Sequence, residues 1–169
     1  AQDDTGEHQQ AVLTFMEAAE HARRAADPRL EARAWMNLAR THGERLRDLE
    51  RGRFYLDLAD ASVGVLGGDD SFAASLAFTR GRVMFVAGHD DEAHTALLRA
   101  IELREGLYGP EDYRVAEVQA QLAGALMRRN ELPSARTYLL RALQTYERVF
   151  GPRHTRVATA RGNLGIVLS

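Results

Sequence analysis

Residues 93–110 read AHTALLRAIELREGLYGP and residues 135–152 read ARTYLLRALQTYERVFGP. Slid by 42 residues, Ala93, Leu97, Leu98, Arg99, Ala100, Tyr108, Gly109 and Pro110 fall onto Ala135, Leu139, Leu140, Arg141, Ala142, Phe150, Gly151 and Pro152 without a gap. A fixed period of this length, with small apolar sites inside helical spacing, predicts an all-α solenoid in which each unit buries its face only against its neighbours. Such scaffolds serve binding more often than catalysis.

Working outward, the same ruler places Asn37-Leu38-Ala39, Thr79-Arg80-Gly81, Gln121-Leu122-Ala123 and Asn163-Leu164-Gly165 in one register, marking four first helices. The small residue lets a paired helix approach closely, and Arg80 departs from the leucine of the other three. Second helices are expected near 48–65, 90–107 and 132–149. In the later two, alanine, leucine and alanine recur at fixed places; in the first, Arg51 stands where alanine is expected, with Gly52 beside it. Gly88 and Asn130 suit left-handed helix ends, Asp90 an N-cap and Pro133 a first helical turn.

Leu66-Gly67-Gly68-Asp69, Tyr108-Gly109-Pro110-Glu111 and Phe150-Gly151-Pro152-Arg153 separate the units. Glycine there supplies a positive φ, proline sets the exit and the preceding large residue plugs the turn. Ahead of the first unit, Val12, Phe15, Met16 and Ala19 trace one stripe of a helix ended by Asp27-Pro28. The expected layout is a flexible tail at 1–7 and one domain at 8–169. That domain holds a helix at 8–26, repeats at 30–67, 70–109 and 112–151, and a half repeat at 154–169 ending on Ile166-Val167-Leu168 with no second helix to cover it, a face for either a continuation of the chain or a homodimer contact.

Composition narrows the function classes. All 22 basic residues are arginine, against 24 acids, and these are interleaved, so no basic stripe for nucleic acid is present. Without lysine there is no Schiff base and no Walker-type phosphate lysine; without cysteine, no thiolate nucleophile, disulfide or Cys-ligated zinc. No apolar run is long enough to span a membrane, and no secretory leader opens the chain. The expectation is a cytoplasmic protein without cofactor or metal, and the absence of an initiating Met fits a segment of a larger one.

These motifs resemble tetratricopeptide repeats, in the 42-residue variety of kinesin light chains and many bacterial regulatory proteins. The matching pieces are the Asn/Gln-Leu-Ala/Gly element, the alanine-leucine-alanine spacing and the aromatic-Gly-Pro linker, with Trp35 three residues before Leu38. The resemblance implies a right-handed superhelix of antiparallel helix pairs, about eight helices in all, whose first helices line a groove for a peptide or a partner's helix. Carried over, the polar groove sites are Asn37, Thr79, Gln121 and Asn163. Arg40 and Arg82 lie three residues on from the first two and Arg33 and Ser75 four residues before, with Phe78 and Phe85 adding apolar contact. Gly124 and Ile166 replace the arginines in the later repeats, so an acidic segment would sit in the N-terminal half. On this reading, replacing Arg40 and Arg82 together weakens binding of an acidic peptide. The alternatives are a peptide-responsive sensor or transcription-regulator domain and a self-association module.

Other constellations read as structural. His89-Asp90-Asp91-Glu92-Ala93-His94 spaces its histidines five apart, on diverging sides of a helix, and acids at a helix start answer to the macrodipole. Asp69-Asp70 and Glu111-Asp112 take the same reading. No Ser/His/Asp spacing or nucleophile elbow accompanies His21, His42 or His154, and Gly162-Asn163-Leu164-Gly165 lacks the strand a dinucleotide loop requires. An enzyme is therefore not expected.

Overall fold

The computed structural model describes residues 2–168. Among the described residues eight α-helices follow in order: α1 (Gln2–Arg24), α2 (Pro28–Arg40), α3 (Leu49–Val65), α4 (Asp70–Ala87), α5 (Asp90–Tyr108), α6 (Tyr113–Arg128), α7 (Leu132–Phe150) and α8 (Thr155–Leu168). A π-helical turn, Thr41–Arg45, closes α2. No strand occurs among the described residues. α2/α3, α4/α5 and α6/α7 are the tightly packed pairs; α1 leans on α2, α6 on α5 and α8 on α7, while α2, α4 and α6 meet side by side. α1 already runs from Gln2, through most of the stretch expected as a tail. Its buried stripe ends in Ala19 and Ala22, leaving Met16 42% exposed.

Local chemistry sets the ends. Asp27, Asp69 and Asp112 cap α2, α4 and α6 through their carboxylates, with Pro28 in the first turn of α2. Asp90 is not an N-cap: His89 holds that place without a side-chain bond, and Asp90 is already helical. The turns inside the later pairs are alike. Gly88 (φ 85) and Asn130 (φ 62) are left-handed, and the next amide in each donates back five residues, His89 N to Met84 O at 2.9 Å and Glu131 N to Leu126 O at 2.9 Å. Between units, Gly109 and Gly151 adopt φ 83, ψ 155 and φ 80, ψ 163, a region only glycine occupies readily. Phe150 plugs its turn by stacking on His154 at 4.5 Å and meeting Tyr113 edge-on at 5.6 Å.

The first pair turns differently. There Arg47 is the left-handed residue (φ 54), and Asp48 N reaches back six residues to His42 O at 2.8 Å. The hairpin holds one more residue than its counterparts, taken up by the π turn. Gly52, Leu56 and Ala59, all buried in α3, therefore stand 41 rather than 42 residues before Ala93, Leu97 and Ala100. Arg51 is exposed, and Gly52 is the small residue of this helix. The stretch from Ala59 to Thr79 is one residue shorter than those from Ala100 to Gln121 and from Ala142 to Asn163, which restores the first-helix register.

Inside the π turn His42 is only 3% exposed, its ring lies 5.3 Å from that of Tyr55, and neither ring nitrogen has a hydrogen-bond partner. Burial holds its pKa below the ordinary histidine value; Asp48, 3.9 Å away, pulls upward and Arg51 pushes further down. The unfolded chain takes up this proton near pH 6.5 and the folded chain only below that. The stabilisation is thus complete above the unfolded value and lost as pH falls through the window beneath it. Denaturant melts between about pH 5 and 7 should show wild type losing stability on acidification relative to His42→Phe. Parallel curves would count against a buried neutral imidazole.

Successive units are also tied by arginine–carboxylate pairs. Arg29 meets Asp69 at 3.0 Å, Arg53 meets Glu92 at 2.6 Å and Arg156 meets Glu117 at 3.0 Å; Arg129–Asp91 and Arg148–Glu111 repeat the pattern. Most are open to water and add about 0–1 kcal/mol each, so the ladder guides register more than it supplies stability.

Candidate binding groove

Arg33 and Asn37 lie one turn apart on α2, and Ser71, Ser75 and Thr79 lie one turn apart on α4. Because the two helices run side by side, these residues line one cleft of about 220 Å³, with Met36 and Phe72 as its apolar part. Four of the residues expected in the groove, Arg33, Asn37, Ser75 and Thr79, are thereby brought together. The Ser75 and Thr79 hydroxyls donate to the carbonyls one turn back, each at 2.9 Å, and keep lone pairs for an incoming donor. Arg33 is exposed, with no ion pair or hydrogen bond among the described residues, so its guanidinium is available.

The other expected groove residues are placed differently. Arg40 donates to the Asn37 side-chain oxygen at 3.2 Å. Arg82 is engaged by Glu44 of the π turn at 2.5 Å, with the Glu44 side chain only 7% exposed. Burial raises the Glu44 pKa above the usual carboxylate value, while Arg82, Arg40 and Arg45 pull it down. No sequence signal pointed to Glu44, since its partner is 38 residues away and the π turn aims it inward. Phe78 and Phe85 pack against the core beneath α6. Arg104 lies over the Phe78 ring at 4.4 Å and Arg128 over Phe85 at 4.5 Å. A Cβ at Gly124 would meet the Phe85 ring at 3.5 Å, an ordinary van der Waals contact, so this aromatic packs alongside α6 at that glycine. Gln121 is partly buried and lines neither cleft. Asn163 lines a separate one of about 170 Å³ with Tyr146, Thr155, Arg156 and Thr159.

The acidic run at the start of α5 is consumed by pairing: Asp90 with Arg128 at 2.8 Å, Asp91 with Arg129, and Glu92 with Arg53 at 2.6 Å and His89 at 3.1 Å. Among the described residues no three His, Cys, Asp or Glu side chains gather as metal ligands would. None of the described helices is long and apolar enough to cross a membrane.

Residues 114–169 match the family model described as tetratricopeptide repeat. That C-terminal third of the chain carries tetratricopeptide repeats. Across 95% of its length it superposes on the crystal structure of BtubC (BKLC) from P. vanneervenii, with a TM-score of 0.81 and 21% sequence identity. That agreement shows a shared tetratricopeptide-repeat fold, and the chain spans 65% of the BtubC chain. No curated protein matches the sequence. Tetratricopeptide repeats are in general protein-interaction modules, and the α2/α4 cleft brings together Arg33, Asn37, Ser75 and Thr79.

Proposed function

We propose that this repeat array binds a peptide or an extended segment of a protein partner along α2 and α4, and that the segment is acidic. The observation that carries the reading is the α2/α4 cleft, in which an unpaired arginine, an amide and three hydroxyls face one apolar strip. Arg33 supplies the charge for a carboxylate, Asn37 can bond a peptide backbone, and Met36 and Phe72 accept an apolar side chain. Arg82, already neutralised by Glu44, contributes little attraction, which moves the cationic centre from the Arg40/Arg82 pair to Arg33.

Fluorescence anisotropy with a labelled Glu/Asp-rich peptide provides the test. Arg33→Ala with Asn37→Ala should weaken binding by about tenfold or more, since hydrogen bonds to charged groups count for roughly 1.5–3 kcal/mol. Arg82→Ala should act on stability instead, because it strands the Glu44 carboxylate indoors. Equal affinity of wild type and the Arg33/Asn37 double variant would overturn the assignment. A second reading, self-association, draws on α8, where Ile166 and Leu168 are 63% and 64% exposed. Light scattering that returns a monomer mass at all concentrations would remove it.

A further inference from the structure

On the opposite side of α4 a larger cleft, about 570 Å³, opens between α3 and α5. Its floor is Ala73, Leu76, Ala77 and Arg80, one helical stripe of α4, and Val63, Ala96 and Leu103 complete an apolar wall. Arg80 occupies the repeat position held by Leu38, Leu122 and Leu164, each buried. Partly buried itself, Arg80 makes no ion pair or hydrogen bond among the described residues. The arginine thus places a cation beside apolar surface with no partner for it.

The preceding cleft, of about 440 Å³ over α2, shows the contrast. Its arginine, Arg23, is paired with Glu31 at 3.1 Å. At the Arg80 cleft the acidic rim is already spent in part: Asp91 is held by Arg129 and Glu92 by Arg53, while Asp60 stays unpaired. Those carboxylates repel a polyanion such as a phosphate or a nucleic acid. A single carboxylate on Arg80 meets less of that repulsion than a polyanion, the other lining arginine, Arg99, being held by Glu102 at 2.6 Å, and the volume lies within the range of small-molecule sites.

We propose that the α3/α4/α5 cleft is a binding site for a small amphiphilic monocarboxylate, its aliphatic tail along Val63, Leu76, Ala77 and Leu103 and its carboxylate on Arg80. This site is independent of the α2/α4 groove. Calorimetric titration of the intact chain with decanoate and with decanol tests it. Decanoate should bind saturably and about ten- to a hundredfold more tightly than decanol, the difference being the charge-assisted bond. Arg80→Leu, which restores the residue of the other repeats, should erase that preference, and Ala77→Phe, which fills the floor, should remove binding of both. Unchanged thermal melts certify that either variant is folded. Equal affinity for the two probes, no saturable binding, or full decanoate affinity in Ala77→Phe would overturn the proposal. So would much tighter binding of acetyl-Ala-Leu-Leu bearing a free carboxyl terminus, which would make the occupant a chain end.

Discussion

Leu97→Ala will destabilise the chain by about 2–5 kcal/mol, and in its background Gly81→Ala will change sign. Leu97 is fully buried in the largest core cluster, where α5 meets α4 and α6. A Cβ added at Gly81 would come within 2.6 Å of Leu97 Cγ and 2.7 Å of its Cδ2. In the wild-type chain Gly81→Ala therefore forces the α4/α5 crossing apart, at about 1–3 kcal/mol, and recovers only about 1 kcal/mol of helix propensity. With Leu97 shortened to alanine both close atoms are gone and the remaining contact, 3.3 Å to the Leu97 backbone nitrogen, needs only a slight shift. The new methyl then occupies part of the cavity and the propensity gain survives. A double-mutant cycle by urea denaturation measures the coupling, and the same effect of Gly81→Ala in both backgrounds would show that the two residues do not oppose each other.

Gly52→Leu will cost about 3 kcal/mol or more, while Arg51→Leu beside it stays within about 0.5 kcal/mol. A Cβ at residue 52 would sit 3.1 Å from the Gly43 Cα and 3.3 Å from its amide nitrogen. Those are backbone atoms, and no rotamer change relieves them. Gly43 is itself pinned, since a Cβ there would come within 2.5 Å of Val83. The π turn, α3 and α4 thus converge where two glycines touch. Arg51 points to solvent and only skirts Asp48 at 3.5 Å. Thermal or urea melts of the two variants decide which residue belongs to the repeat. A cost at Arg51 that matched the one at Gly52 would refute the shifted register.

Much of the architecture was legible because it is written in short-range signals. The Asp27-Pro28 break, the left-handed Gly88 and Asn130 and the Gly109 and Gly151 bends are all local, and each stands where the spacing put it. The small residues were legible too, as Gly81 under Leu97 and the fully buried Ala39 and Ala123 show. Arg51 misled because a ruler carried from the later units assumes equal hairpins, and one added residue shifts every side chain after it by about 100° around the helix. Groove residues were only half legible. Arg33, Asn37, Ser75 and Thr79 share a face by spacing alone, but a charge is a binding group only if the fold leaves it unpaired, and Glu44 decides that for Arg82.

The amino-acid sequence by itself determined the repeat, the order of its helices and the breaks between them, since periodicity, caps and glycine turns act within a few residues of one another. Tertiary structure alone decided that α2 ends in a π turn, that Phe78 and Phe85 join the core, and that Arg33 and Arg80 stay free while Arg82 does not. Those outcomes depend on which side chains from units some 40 residues apart meet in space and on how much water they lose there.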